Sequence, residues 1–205
     1  MPQPDILPHA DNGTIAAWVA KRLHAALAVA SDIAITVPGG STPFPIFEIL
    51  ARSGVPWSRV SVWPGDDRIV AEDHPASNVG KIRALLEPAG ARIVPLVDTA
   101  VPPRFALAWL GMGGDGHVAS LFPNTDPQRD DSVPVRRLTP DPLPPEAPFD
   151  RVSLTIPALV NSDEAMFVIR GDDKRAVFDA AVAGENDLPV ARFLSAYPHK
   201  VTCFC

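Results

Sequence analysis

Short apolar runs alternate along the chain with segments of helical periodicity, and this alternation narrows the possible folds more than any other feature. Residues 33–37 (IAITV) and 105–110 (FALAWL) are short and show no polar alternation, as strands buried on both faces do. Residues 60–63, 92–96, 133–138, 151–155, 164–169 and 200–204 are further strand candidates. Between them lie helical patterns. In residues 12–30, Ile15, Trp18, Val19, Leu23, Ala26 and Leu27 recur at three- and four-residue spacing, with Asp11 or Asn12 placed to cap the start. Residues 44–51, 77–86 and 172–183 read as helices too, the last capped by Asp172. Strands alternating with helices predict an open, mostly parallel α/β sheet with right-handed crossovers. A length of 205 residues fits one domain, and no internal repeat interrupts it.

Composition limits the partners. A net charge of -6 and a pI near 5.3 argue against a general nucleic-acid binder, which needs a basic face. A local basic pocket for a small anion survives in an acidic protein. No apolar run reaches membrane-span length, and the start, MPQPDILPHADNG, lacks the basic and apolar regions of a secretory leader. The two cysteines, Cys203 and Cys205, stand close together on a final strand with no His or Cys cluster nearby, so no metal is expected. These features predict a cytoplasmic protein without membrane or nucleic-acid partners, a monomer or homodimer. Prolines number 24, and residues 139–148 (TPDPLPPEAP) exclude a helix or central strand. That segment is expected to be an ordered surface loop.

In open α/β sheets, ligands bind beyond the carboxyl ends of the strands. The loops there are PGGSTP (38–43), PGDDR (64–68), GMGGDGH (111–117) and RGDDK (170–174). All are rich in Gly, Asp, His, Lys or hydroxyl groups. In PGGSTP, Gly39 and Gly40 allow a tight turn and close approach to a ligand, and Ser41 and Thr42 add hydroxyl donors. A helix following at once suits an anion such as phosphate, although no Walker Gly-Lys-Ser/Thr is present. Asp66 and Asp67 offer acid–base chemistry or an ion pair in a solvated turn, and Arg68 can grip a phosphate bidentately. Arg151 opens a strand, as a ligand or as an edge charge. Lys174, in a helical first turn where the dipole disfavours cations, is placed to meet an anion.

Gly111, Gly113 and Gly116 spell G-x-G-x-x-G, the spacing of a dinucleotide-binding turn. The context disagrees. Pro123 follows closely, PNTDPQRDD is turn-like, and no second strand precedes Asp130 and Asp131. The glycines are better read as freeing the backbone around Asp115 and His117. A neutral His oriented by a carboxylate accepts a proton from water near neutral pH. The competing structural reading is a His that satisfies a helix start.

Taken in order, PGGSTP, W-x-G-D-D-R with His74, Pro75, Ser77 and Asn78 following, LGMGGDGHVASLFP, RVSLT and GDDK resemble the 6-phosphogluconolactonase family. The likeness runs from about residue 30 to residue 180, in a superfamily that includes glucosamine-6-phosphate deaminase. The resemblance implies a doubly wound, three-layer α/β/α, Rossmann-like fold. It implies hydrolysis of 6-phospho-D-glucono-1,5-lactone to 6-phosphogluconate in the oxidative pentose phosphate pathway, with no metal or organic cofactor. His117 would be the general base. Asp115 and Asp66 would position His117 or the sugar hydroxyls. Gly39, Gly40, Ser41, Thr42, Arg151 and Lys174 would hold the phosphate, with Arg68 lining the pocket. The deaminases carry a Glu five positions after the loop histidine, where this chain has Phe122.

The chain also departs from that pattern. Asp67 replaces the Glu of the usual D-E-R, and Pro38 replaces a Ser or Ala. The connection between Pro95 and Phe105 is too short for the usual extra helix, and no closing helix follows the last strand. Three alternatives to a lactonase stand beside it: a deaminase or isomerase, a non-catalytic sugar-phosphate sensor acting through a protein partner, and a dinucleotide-dependent oxidoreductase.

Overall fold

The computed structural model describes residues 3–143, 145 and 147–205. Its centre is a seven-stranded, all-parallel sheet built from β1 (Asp5–Leu7), β2 (Ile33–Val37), β3 (Val60–Pro64), β5 (Arg92–Ile93), β6 (Phe105–Leu110), β9 (Ser162–Val168) and β10 (Val201–Phe204). The spatial order is β1-β10-β9-β6-β2-β3-β5. A three-stranded antiparallel sheet, β4 (Asp66–Arg68), β8 (Arg151–Leu154) and β7 (Val135–Leu138) in that order, stands beside it. The helices are α1 (Asn12–Val29), α2 (Phe44–Leu50), α3 (Asn78–Leu86), α4 (Ile156–Val160), α5 (Asp172–Ala183) and α6 (Pro189–Ala196).

Two apolar clusters flank the parallel sheet. One joins α1, α2 and α3 to the sheet through Ile15, Leu23, Phe47, Ile82, Val62 and Trp109. The other joins α4, α5 and α6 through Leu159, Phe178, Phe193, Phe105 and Phe167. Side chains alternate between the faces of a strand, so Trp109 of β6 belongs to the first cluster while Ala108 and Leu110 belong to the second. This is the expected doubly wound α/β/α arrangement. From β2 the chain winds to β3 and β5 in one direction; from β6 it winds to β9 and β10 in the other. The strand order therefore reverses between β2 and β6, and their carboxyl ends open the crevice where such folds bind ligands.

Local chemistry sets most boundaries. Asp11 caps α1 by accepting from the Thr14 N–H at 2.7 Å, and Ser77 caps α3 by accepting from the Gly80 N–H at 3.1 Å. Asp172 is not the α5 cap. Gly171 occupies that position at φ +94°, and Asp172 is the first helical residue. The expected strand at 92–96 shortens to Arg92–Ile93, because Pro95 has no N–H to continue a ladder. Residues 94–104 contain neither helix nor strand. The described part of 139–148 is likewise irregular; Pro144 and Glu146 lie outside the described residues.

Four elements were not expected: β1, β4, α4 and α6. For α6 a signal existed, since Pro189 sits at the first helical position and Val190, Phe193, Leu194 and Tyr197 follow at helical spacing, all buried. Among the described residues no helix is long and apolar enough to cross a membrane.

Candidate active site

The loops after β2, β3, β6 and β9 surround one cleft of about 280 Å³. Its lining includes Gly39, Gly40, Ser41 and Thr42 after β2, Asp66 and Arg68 on β4, His117 after β6, and Arg170 and Lys174 after β9. Ser41, Thr42 and Lys174 thus face the same cavity as His117. Asn78, Trp109, Met112 and Val168 complete much of the wall.

The β6 loop is a tightly bonded turn. The Gly113 N–H donates to the His117 carbonyl at 3.0 Å, Met112 and Val118 form an antiparallel bridge, and the Val190 N–H of α6 donates to the Gly116 carbonyl at 3.0 Å. Only a short 3-10 turn, Pro123–Thr125, follows, so the long helix a dinucleotide site needs is missing among these residues. At Gly113 any side chain would force the imidazole or the Asp115 carboxylate to move. A Cβ there would lie 2.1 Å from His117 Cε1 and 2.7 Å from Asp115 Oδ1.

Asp115 Oδ1 meets His117 Nδ1 at 2.6 Å and also accepts the His117 N–H. Burial works against the Asp115 charge. The His117 hydrogen bond and charge outweigh it and hold the carboxyl below the usual carboxylate range. With a carboxylate on Nδ1, the imidazole carries its proton there and leaves Nε2 as an acceptor. The Phe122 ring packs on the imidazole at 4.5 Å between centroids and restrains its rotation.

The two adjacent acids of PGDDR separate because they lie on a strand, not in a turn. Successive strand side chains point to opposite faces. Asp66 and Arg68 line the cleft. Asp67 points away and accepts from the N–H groups of Asn78 and Val79 at 2.6 and 2.9 Å, tying β4 to the start of α3. Asp66 does not touch His117. Its Oδ2 meets the Ser120 hydroxyl at 2.5 Å, and burial pushes its pKa up. Arg68 donates through Nη1 to the Ala76 carbonyl at 2.8 Å, while its buried Nε has no partner.

Arg151 departs from expectation. It is 2% exposed and does not line the cleft. Its guanidinium donates to the Phe149 and Ala147 carbonyls at 2.5 and 2.6 Å. Burial first, then the neighbouring Arg68 charge, lowers its pKa. The expected phosphate ligand is therefore a strut for the 147–149 turn. Arg151→Ala is expected to cost about 2–3 kcal/mol in chemical denaturation by orphaning those carbonyls, with the substrate constant little changed.

Arg170, unlike Arg151, reaches the cleft. It stands one residue before Gly171, lines the cleft, and is steadied by an Nη2 bond to the Ala10 carbonyl at 2.8 Å. The strand-end rule pointed to RGDDK, but only Lys174 was singled out within it. Asn78, Ser120 and Ser153 lay inside recognised motifs without an assigned role. Their contacts come from β4 and β8, whose pairing is non-local.

A family model described as glucosamine-6-phosphate isomerases/6-phosphogluconolactonase matches residues 12–102 and 87–202. The chain belongs to this family. Among the relatives of this isomerase/lactonase family member, the Pseudomonas aeruginosa 6-phosphogluconolactonase is 35% identical over 210 residues, covering 89% of this chain and 86% of its own. The Neisseria meningitidis serogroup A 6-phosphogluconolactonase is 32% identical over 196 residues, covering 84% of each. The crystal structure of 6-phosphogluconolactonase from Thermotoga maritima superposes with a TM-score of 0.84 at 24% identity, covering 98% of this chain and 99% of that one. At that identity the superposition speaks for the fold.

Proposed function

We propose that the protein hydrolyses 6-phospho-D-glucono-1,5-lactone to 6-phosphogluconate, the lactone step of the oxidative pentose phosphate pathway, in the cytoplasm. One observation carries the reading: His117, with Asp115 on its Nδ1, faces the same cleft as Ser41, Thr42, Arg68, Arg170 and Lys174. A base stands at one part of the cavity, and hydroxyls and cations suited to a phosphate stand around the rest. The named relatives support the same substrate.

The chemistry follows from that arrangement. A lactone is an activated ester, so attack by water calls for a positioned base and a fixed carbonyl but no covalent nucleophile. His117 Nε2 takes a proton from water as its oxygen attacks the carbonyl. Asp115 holds the ring and stabilises the imidazolium that forms. Gly40 adopts φ +91°, which glycine takes without strain, in the turn whose Ser41 and Thr42 line the cleft and would meet the phosphate. The remote phosphate supplies binding energy that holds the reacting carbon in place. Phe122, where the deaminases have an acid, cannot move a proton, which disfavours deaminase chemistry.

Purified protein is expected to consume freshly generated lactone faster than the spontaneous background without added metal. A rate equal to background, with 6-phosphogluconate still bound in calorimetry, would favour a sugar-phosphate sensor. Lys174→Ala is expected to raise the substrate KM about 10-fold or more, the loss of one charge-assisted contact of roughly 1.5–3 kcal/mol, with kcat changed less. An unchanged KM in steady-state kinetics would remove Lys174 from the phosphate seat.

A further inference from the structure

Hydrolysis of a lactone needs a base for the incoming water and a proton for the departing ring oxygen. A free sugar alkoxide is a poor leaving group. His117 and Asp115 account for the first requirement. Asp66 is the only carboxyl among the residues lining the cleft. It is 9% exposed and makes no contact with the imidazole, so it does not orient the base.

We propose that Asp66 is the acid that protonates the leaving ring oxygen, and that Ser120 determines which carboxyl oxygen carries that proton. This rests on the lactonase reading and adds a group to it. Ser120 is buried, and its N–H donates to Ser153 Oγ at 3.2 Å, which ties the residue to β8 opposite Asp66. Its hydroxyl donates to Asp66 Oδ2. That bond reserves Oδ2 as an acceptor and leaves Oδ1, which makes no hydrogen bond to the described residues, to hold the proton.

The surroundings favour a neutral carboxyl. Removal from water is the largest influence on Asp66, and the neighbouring Asp67 charge acts in the same direction. The Ser120 bond, Arg68 on the same strand and His117 on the facing loop oppose it. Arg151 on β8 also interacts with it, the Asn78 amide of α3 donates only to its main-chain carbonyl, and Arg170 and Lys174 line the same cleft. Burial prevails. Asp115, in contrast, is held ionised by its histidine. Two carboxyls at one site, driven in opposite directions, is the pattern of an acid and a base partner with separate roles.

The step balances. The water oxygen bonds to the carbonyl carbon, and the water proton moves to His117 Nε2. The bond from that carbon to the ring oxygen breaks, and the ring oxygen takes the Asp66 proton to become a hydroxyl. Solvent then takes the proton from His117 and returns one to Asp66.

Background-corrected kcat, measured against pH with freshly generated 6-phosphogluconolactone, tests the assignment. The wild-type profile is expected to fall on its alkaline side as Asp66 loses its proton. Asp66→Asn is near-isosteric and is expected to bind 6-phosphogluconate in calorimetry with wild-type affinity. Its kcat falls about 100-fold or more, the scale of a lost general acid, and its profile loses the alkaline fall. Ser120→Ala removes a donor that favours the charged form, so its alkaline fall moves to higher pH. A purely structural role for Ser120 would lower kcat at every pH without moving that limb. If Asp66→Asn keeps wild-type kcat or its alkaline limb, or if the Ser120→Ala limb does not move, the assignment is wrong. A wild-type rate no faster than background overturns the lactonase reading and this proposal together.

Discussion

His117→Ala is expected to remove most of the acceleration of lactone hydrolysis while leaving 6-phosphogluconate binding nearly intact. General-base catalysis contributes roughly 10²–10⁴-fold, and the truncation removes the only imidazole that lines the cleft. The imidazole is partly exposed and belongs to neither apolar cluster, so its loss leaves the core packing unchanged. The phosphate seat, made by the loops after β2 and β9, also remains. Stopped assays corrected for background, together with calorimetric titration of 6-phosphogluconate, separate the two quantities. Equal loss of binding and turnover would mean that His117 holds the ligand, not the water.

Gly113→Ala is expected to have nearly as large an effect with no change at any polar group. The new Cβ would sit 2.1 Å from the imidazole Cε1 and 2.2 Å from its Nδ1, far inside contact distance. The ring and the Asp115 carboxylate are the ends of side chains, so they yield before the backbone does. A displaced base is a poor one: a misplacement of about 1 Å can cost about 100-fold. The predicted variant folds with a melting temperature within a few degrees of wild type, since changes away from the core shift stability little. Its kcat falls about 100-fold. Wild-type kcat in Gly113→Ala would show that the imidazole has room to spare and that its observed position is not the one that matters.

The fold was legible where burial on both faces writes itself into a run of apolar residues. The expected strands at Ile33–Val37 and Phe105–Leu110 appear with those bounds. The cleft was legible too, because strand ends in a doubly wound sheet point to one region and the polar loops fell there. What failed was the direction of individual side chains. Residue type alone does not separate Asp66 from Asp67, and only the resemblance singles out Asp66; pairing of β4 with β8, more than 80 residues later, sends Asp66 to the cleft and Asp67 to the start of α3. Arg151 carries the right charge for a phosphate, but the strand turns it toward the 147–149 carbonyls. Such outcomes depend on antiparallel pairing between distant segments, for which single residues leave no periodic trace. The connection from Pro95 to Phe105 is too short for an extra helix, and none forms there.

The account depends on a single geometry, in which the carbonyl lies near His117 while the phosphate is held by the loops after β2 and β9. A crystal structure with bound 6-phosphogluconate tests this most directly. The account predicts the product carboxylate within hydrogen-bond reach of His117 Nε2, directly or through one water, and the phosphate on Ser41, Thr42 and Lys174. A phosphate seated against His117, or a sugar bound outside the cleft between β2 and β6, would contradict it.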